Sequence, residues 1–205
     1  MYAAKILGTY ELELAPVMSR WPDLHLTRAI DVGAAEGYYA VGVARWLGIP
    51  VTAFEIEAQS RALLTNLAHL NGVSRNIKVC GACDTDALSL ALAEAGGQRQ
   101  LLICDVEGFE LELLDPDKIP ALTETWILAE MHDCFRPGCT EELIRRFSPT
   151  HRIERIRTRA RTPMDFPPTK GALRHLPGAV KVRFMAESRP GPMDFLWMTP
   201  KASLG

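Results

Sequence analysis

Four short apolar runs in this chain each end in an acid. Asp31 closes Ala29-Ile30, Glu55 closes Val51–Phe54, Asp105 closes Leu101–Cys104, and Glu130 closes Trp126–Ala129. A carboxylate at such a place is expensive to bury unless it has a partner or a task. The repetition therefore says more than any single member. His132 stands two residues beyond Glu130, and imidazole is the side chain whose unperturbed pKa lies nearest neutrality. This set could give and take protons. Asp105, Glu130 and His132 could also hold a divalent ion, although no metal is assigned. Each group has a plainer role as well: His132 as a loop histidine satisfied by backbone, Glu55 as a surface acid beside Glu57.

The stretch Ala29–Ala40 links the first acid to a glycine turn. Gly33 and Gly37 bracket Ala34-Ala35-Glu36, and apolar Val41, Val43, Ala44 and Leu47 follow at helical spacing. Strand, tight turn and helix in this order suit a nucleotide-like ligand: glycine permits close backbone approach, and N–H groups opening a helix can hold a carboxylate or phosphate. Ala35 breaks the Gly-x-Gly-x-x-Gly fingerprint, which weakens a dinucleotide reading, and no Gly-Lys-Ser/Thr is present. Glu55 lies about twenty residues after Gly33, where an acid meets ribose hydroxyls in nucleotide-binding βαβ units. On this reading Gly33→Val blocks the ligand and leaves the fold largely intact.

The elements that position these groups follow from periodicity. Strands are expected to end at Asp31, Glu55, Ala82, Asp105 and Glu130, then over 152–158 and 193–198. Helices are expected over 9–20 (Thr9 as cap, Pro16 inside), 38–47, 57–71, 86–95 with Gly96-Gly97 as stop, 109–114, and 140–147 with a good cap. The alternation predicts a doubly wound, mainly parallel seven-stranded sheet with the last strand antiparallel. The expected domain is single: 1–27 a helical cap, 28–158 an α/β core, 159–192 an irregular insertion and possible lid, and 193–200 the final strand.

The chain has 205 residues, enough for one domain with a sizeable core. Five cysteines and no export signal predict thiols and a cytoplasmic location. Cys80-x-x-Cys83 and Cys134-x4-Cys139 have zinc-like spacing, but strand alternation points the first pair apart. Net charge is −2, unevenly spread: residues 1–150 hold 12 Lys/Arg against 21 Asp/Glu, and residues 151–205 hold 11 against 4. The run Arg152, Arg155, Arg157, Arg159 and Arg161 could bind an anion. With only Phe166 near it, it is a poor single-strand RNA platform, and an edge strand guarded by charge is the blander reading.

In Gly8-Thr9-Tyr10-Glu11, Asp31–Tyr39, Phe54-Glu55, Asn66, Asn71-Gly72-Val73, Asp105–Glu110 with Leu113-Leu114, Glu130-Met131-His132, Glu187-Ser188-Arg189-Pro190 and Phe195-Leu196-Trp197, the chain resembles class I S-adenosylmethionine-dependent methyltransferases of the FkbM type. Ala35 and Ile56 depart from that pattern, and 159–186 matches none of it. The resemblance implies a Rossmann-like methyltransferase fold and S-adenosylmethionine as cofactor. It implies that Glu11, Asp31, Gly33, Ala34, Gly37, Glu55, Cys83, Asp84 and Asp105 line the cofactor site. Gly33, Ala34 and Gly37 would meet its amino-acid end, Glu55 the ribose, Cys83 and Asp84 the adenine, and Asp105 the reactive methyl. Asp84 would equally cap the next helix.

Removing a proton from a hydroxyl acceptor would fall to Asp105, Glu107, Glu130 or His132, with His132 the natural base and Glu107 alternatively a helix cap. The expected activity is O-methylation of a small-molecule or sugar-like hydroxyl. Alternatives are RNA or protein methylation through the basic C-terminal third, and a non-catalytic nucleotide-binding domain. The expected acceptor is polar or anionic. A homodimer is compatible, a membrane partner is not expected, and nucleic acid is not favoured. The lid over Asp105 and His132 would be 159–186, basic apart from Asp165.

Overall fold

The computed structural model describes residues 2–94, 99–168, 171–187, 189, 191 and 193–204. Seven strands form one sheet: β1 (Arg28–Val32), β2 (Val51–Phe54), β3 (Ile77–Cys80), β4 (Gln100–Cys104), β5 (Trp126–Glu130), β6 (His151–Ile156) and β7 (Phe195–Pro200). Their order is β3-β2-β1-β4-β5-β7-β6. β7 runs antiparallel to both neighbours, and the other six strands are parallel. β2, β4 and β5 are buried along their whole length, which is why they read as unbroken apolar runs rather than alternating ones.

Helices cover both faces. α2 (Ala15–Met18), α3 (Tyr38–Leu47) and α4 (Ala58–Leu70) lie over one face, where Leu14, Val17, Trp21, Val43 and Leu64 join one core cluster. α5 (Thr85–Ala93), α6 (Glu110–Leu113) and α7 (Cys139–Phe147) lie over the other, where Leu88, Leu92, Leu113, Leu143 and Phe147 join a second. Trp21 is fully buried and packs 6.2 Å from Trp197 of β7. Truncating such a side chain costs about 3–5 kcal/mol. α1 (Tyr2–Leu7) begins the described chain, and α8 (Gly178–Phe184) lies between β6 and β7. Among the described residues no helix is long and apolar enough to cross a membrane.

β1 pairs with β2 on one side and β4 on the other, with Asp31 level with Ala53 and Ile103. The sheet grows in opposite directions from this pair. A crevice therefore opens at the carboxyl ends of β1 and β4.

Several expectations change. The single helix over 9–20 is a 3-10 turn at Leu12–Leu14 followed by α2, because Glu11 takes a left-handed backbone (φ 48°) and Pro16 enters the first turn. Thr9 does not cap it; its hydroxyl donates back to Ala4 O. β3 ends at Cys80 and β7 starts at Phe195. Phe109–Leu114 contracts to Glu110–Leu113. The stretch 159–192 is not wholly irregular, since it contains α8 and turns at Pro163–Asp165 and Gly171–His175. Gly96-Gly97, Lys170, Ser188 and Pro190 lie outside the described residues. β6 is an edge strand, as its run of arginines suggested.

Candidate active site

The glycine turn is held from inside the protein. The N–H groups of Gly33 and Ala34 both donate to Phe54 O at 3.0 Å, and Gly37 N donates to Ala34 O. Ala35 N donates to Oε2 of Glu55 at 2.7 Å, while Glu57 N donates to Oε1 at 2.7 Å. Four turn amides are thus already used inside the protein, so any ligand contact from backbone N–H groups falls to those that open α3. Glu55 clamps the turn to the end of β2, and each of its oxygens keeps a second lone pair.

Gly33 is glycine for a reason invisible in the turn itself. Its φ is +83°, and a Cβ there would sit 1.7 Å from the carbonyl oxygen of Asp105. Gly33→Val therefore damages the fold, which overturns the expected fold-neutral substitution. Gly37 (φ +93°) caps α3, and its bare Cα packs on Leu64.

Asp31 sits behind this turn, 2 % exposed, with Oδ2 free of any hydrogen-bond partner. Burial first, then the charges of Asp105, Glu55 and Glu11, raise its carboxyl to about 7, against one backbone bond from Ala40. Three of the four strand-end acids, Asp31, Glu55 and Asp105, thus act on one another electrostatically, and Glu11, which does not end a strand, joins them. Glu11 is buried and accepts from Tyr39 Oη and from Nη2 of Arg189 at 2.9 Å. Burial raises its carboxyl, and those partners oppose the rise. Arg189 also donates to Glu130, through Nη1, and to Oε2 of Glu187 at 2.9 Å. One guanidinium therefore ties the N-terminal segment, the end of β5 and the approach to β7.

His132 lies at the centre of the proton-handling groups. Its Nδ1 is 2.6 Å from Oε1 of Glu110, and its Nε2 lies 3.5 Å from Oδ1 of Asp105 and 3.9 Å from Oε2 of Glu130. The ring stacks on Phe135. Burial alone would lower its pKa, but Glu110, Asp105 and Glu107 outweigh that and raise it. Glu110 is fully buried; burial opposes its charge, yet the bonds from His132 and Gly108 hold its carboxyl below the usual range. Asp105 is raised to about 6 by burial, which His132 partly offsets.

These neighbours favour the protonated imidazole, which weakens His132 as a base, and Asp105 stands beside it with a partly exposed side chain. Glu107 is exposed and does not cap α6, because Glu110 bonds Gly108 N instead. Asp84 does cap α5, accepting from Ala87 N at 2.8 Å, beside half-buried Cys83. Asp133 accepts from Gly138 N and from the backbone and hydroxyl of Thr140, and so holds the start of α7.

Asp105, Glu130 and His132 also offer one ligand atom each within 4.8 Å, a cation-sized gap. The zinc-like cysteines do not gather into such a group among the described residues. Sequence reasoning gave no role to Glu110, Tyr39 or Arg189. Glu110 stood in the sequence only as part of the Asp105–Glu110 stretch that carries the resemblance, and its burial on a short helix shows only in the structure.

No family model and no curated protein matches the chain. Solved structures do. The O-methyltransferase TomG from Streptomyces achromogenes, in complex with SAM, matches with a TM-score of 0.55 at 13% identity, covering 91% of this chain and 78% of that one. The N-terminal domain of human METTL16, in complex with SAH, matches at 0.54 and 17%, covering 91% and 69%. The precorrin-6y C5,15-methyltransferase from Geobacter metallireducens matches at 0.54 and 13%, covering 89% and 86%. At these identities the likeness is one of fold: the chain has the class I methyltransferase fold.

Proposed function

We propose that this chain is an S-adenosylmethionine-dependent methyltransferase of the FkbM type, acting on a hydroxyl of a small polar acceptor. Asp31 carries the proposal: a buried carboxylate with one oxygen unpartnered, acted on by the charges of Asp105, Glu55 and Glu11 at the strand ends of a methyltransferase fold. Arg189 and His132 do not balance so many acids, and a cationic ligand would. S-adenosylmethionine fits this demand, bearing an ammonium and a sulfonium, and it supplies an electrophilic methyl group when bound. Gly33, Ala34 and Gly37 would shape its amino-acid end, the spare lone pairs of Glu55 would take the ribose hydroxyls, and Cys83 and Asp84 would flank the adenine.

The protein's own task is then alignment and proton removal. Asp105 accepts the proton of the acceptor hydroxyl as its oxygen becomes nucleophilic. His132, whose protonated form Glu110 favours, orients Asp105 and lies beside Glu130. The five free cysteines agree with a cytoplasmic location. RNA is the weaker alternative: Arg155 pairs with Asp194 and Glu141, Arg159 with Asp165, and Arg161 with Glu13 and Glu187, so most of the basic run is already neutralised. The test is calorimetry with S-adenosylmethionine, followed by mass spectrometry of a hydroxyl-bearing metabolite panel. Cofactor binding with Asp105-dependent mass gain on an oxygen is expected; no cofactor binding refutes the proposal.

A further inference from the structure

A groove of about 510 Å³ runs between α3 and α4, with Tyr38, Val41, Gly42 and Trp46 lining it from one helix and Leu67 from the other. That volume suits a small-molecule site. None of these residues ends a strand or belongs to the cluster of acids and histidine. Tyr38 and Trp46 stand eight residues apart in α3, so about 12 Å separates them along the axis. Each lies four residues from Gly42, which puts all three on one helix face. Trp46 packs 6.3 Å from Trp21 yet is 50% exposed, so much of its indole is left without a protein cover.

Between the two rings the helix is bare. Gly42 is exposed, and a Cβ there would meet nothing within 4 Å. Packing therefore does not call for glycine, which weakens a helix interior relative to alanine. The missing side chain lets a flat group lie against the backbone. The groove also carries a single charge, that of exposed Arg45. Its Nη1 donates to Asn71 O at 3.3 Å, and among the described residues no carboxylate pairs with it. The edge formed by Nε and Nη2 is the fork that meets a carboxylate in two parallel bonds. One guanidinium matches one negative charge, and a phosphate dianion would find no second cation in the lining.

We propose that this groove binds a planar aromatic monocarboxylate, with its ring over Gly42 against Trp46 and its carboxylate on Arg45. An offset stack on the indole and a charge-assisted pair on the guanidinium act together only on a ligand that has both parts. The site is separate from the crevice and stands whether or not the chain transfers methyl groups.

Heteronuclear NMR on the whole chain tests it with four probes: naphthoate, naphthol, cyclohexanecarboxylate and naphthyl phosphate. Naphthoate should shift the Gly42 amide and the Trp46 indole resonances saturably. Naphthol, which lacks the charge, and cyclohexanecarboxylate, which lacks the flat ring, should bind at least tenfold more weakly, and naphthyl phosphate no more tightly. Arg45→Gln should weaken naphthoate at least tenfold, and so should Gly42→Leu, which covers the floor of the groove. Gly42→Ala should raise the melting temperature. Should Gly42→Leu fail to fold, Arg45→Gln still decides. Absence of naphthoate binding, equal binding of naphthol or cyclohexanecarboxylate, tighter binding of the phosphate, or indifference to Arg45→Gln would overturn the proposal. A lower melting temperature for Gly42→Ala would overturn it too, by making the glycine a packing need. So would a concentration-dependent dimer that Gly42→Leu dissolves, which would give the groove to a second copy of the chain. Saturating S-adenosylmethionine should leave naphthoate binding unchanged; competition would place the probe in the crevice and overturn the assignment.

Discussion

His132 Nδ1 lies 2.6 Å from Oε1 of Glu110, a carboxylate with no solvent exposure. The contact fixes the ring so that Nε2 faces Asp105 and Glu130, and it sets the charge of the whole cluster. Histidine's raised pKa stabilises the fold fully below about 6.5 and ceases to do so as pH climbs through the raised value. The lowered pKa of Glu110 stabilises above about 4.5 and ceases to as pH falls through the lowered value. The pair is therefore strongest between those limits.

Glu110→Gln should lower the pKa of His132 and cost about 3–5 kcal/mol of stability, the usual penalty for breaking a buried pair. NMR titration of the imidazole and urea unfolding measure the two effects. An unmoved imidazole pKa would show that Glu110 does not control the ring.

Gly33→Ala should be far more harmful than Gly37→Ala. At Gly33 the new Cβ meets the backbone of Asp105, which cannot move without β4, whereas at Gly37 it meets the side chain of Leu64. Left-handed backbone alone costs about 1–2 kcal/mol, and overpacking adds about 1–3 kcal/mol. Comparable unfolding midpoints for the two variants would contradict this.

Asp31→Asn should stabilise the unliganded protein at pH 8. Because the folded pKa of about 7 exceeds the ordinary 3.8, the native state binds the extra proton, and stability declines as pH rises from about 4 to about 7. The substitution removes that decline, a gain of at most roughly 4 kcal/mol by the size of the shift. It should also weaken S-adenosylmethionine binding. Thermal melts across pH, with and without cofactor, decide both points.

Glu55→Gln should loosen the turn and weaken the cofactor together. One oxygen is replaced by an amide that cannot accept from Ala35 N or Glu57 N, a loss of about 1–3 kcal/mol. Calorimetry should show at least a tenfold drop in affinity for S-adenosylmethionine. Full affinity would remove Glu55 from the site.

Chelation should leave cofactor binding intact. Arg189 already places a positive charge among Glu130 and Glu11, and His132, whose protonated form is favoured, lies between Asp105 and Glu130. Protein treated with EDTA is expected to bind S-adenosylmethionine unchanged, and Mg²⁺ is expected to leave the melting temperature where it was. A stabilising shift with Mg²⁺ would instead assign the Asp105–Glu130–His132 gap to a metal.

Much of this was readable from local pattern. α3 begins at Tyr38 and ends at Leu47, where the apolar spacing put it, because glycine bounds it on both sides. The strand-end acids were readable because a charge at the end of an apolar run stands out. What could not be read depends on contacts distant in the chain. Gly33 answers to the backbone of Asp105, Glu11 is bent into a left-handed turn facing Tyr39 and Arg189, and the pKa of His132 is raised by Glu110. The run at Arg155–Arg161 reads as basic until its partners Asp194, Asp165, Glu13 and Glu187 are placed beside it.

The insertion of β7 between β5 and β6 orders events during synthesis. β5 is complete at Glu130, but the strand that covers its outer edge begins only at Phe195, and β6 has no place in the sheet until then. At about 5–20 residues per second, the ribosome leaves that edge bare for several seconds. The exposed row, Trp126 to Glu130, is apolar up to its last residue and would pair with any strand offered to it. A nascent chain stalled before Phe195 should therefore be a chaperone client, and one released after Pro200 should not.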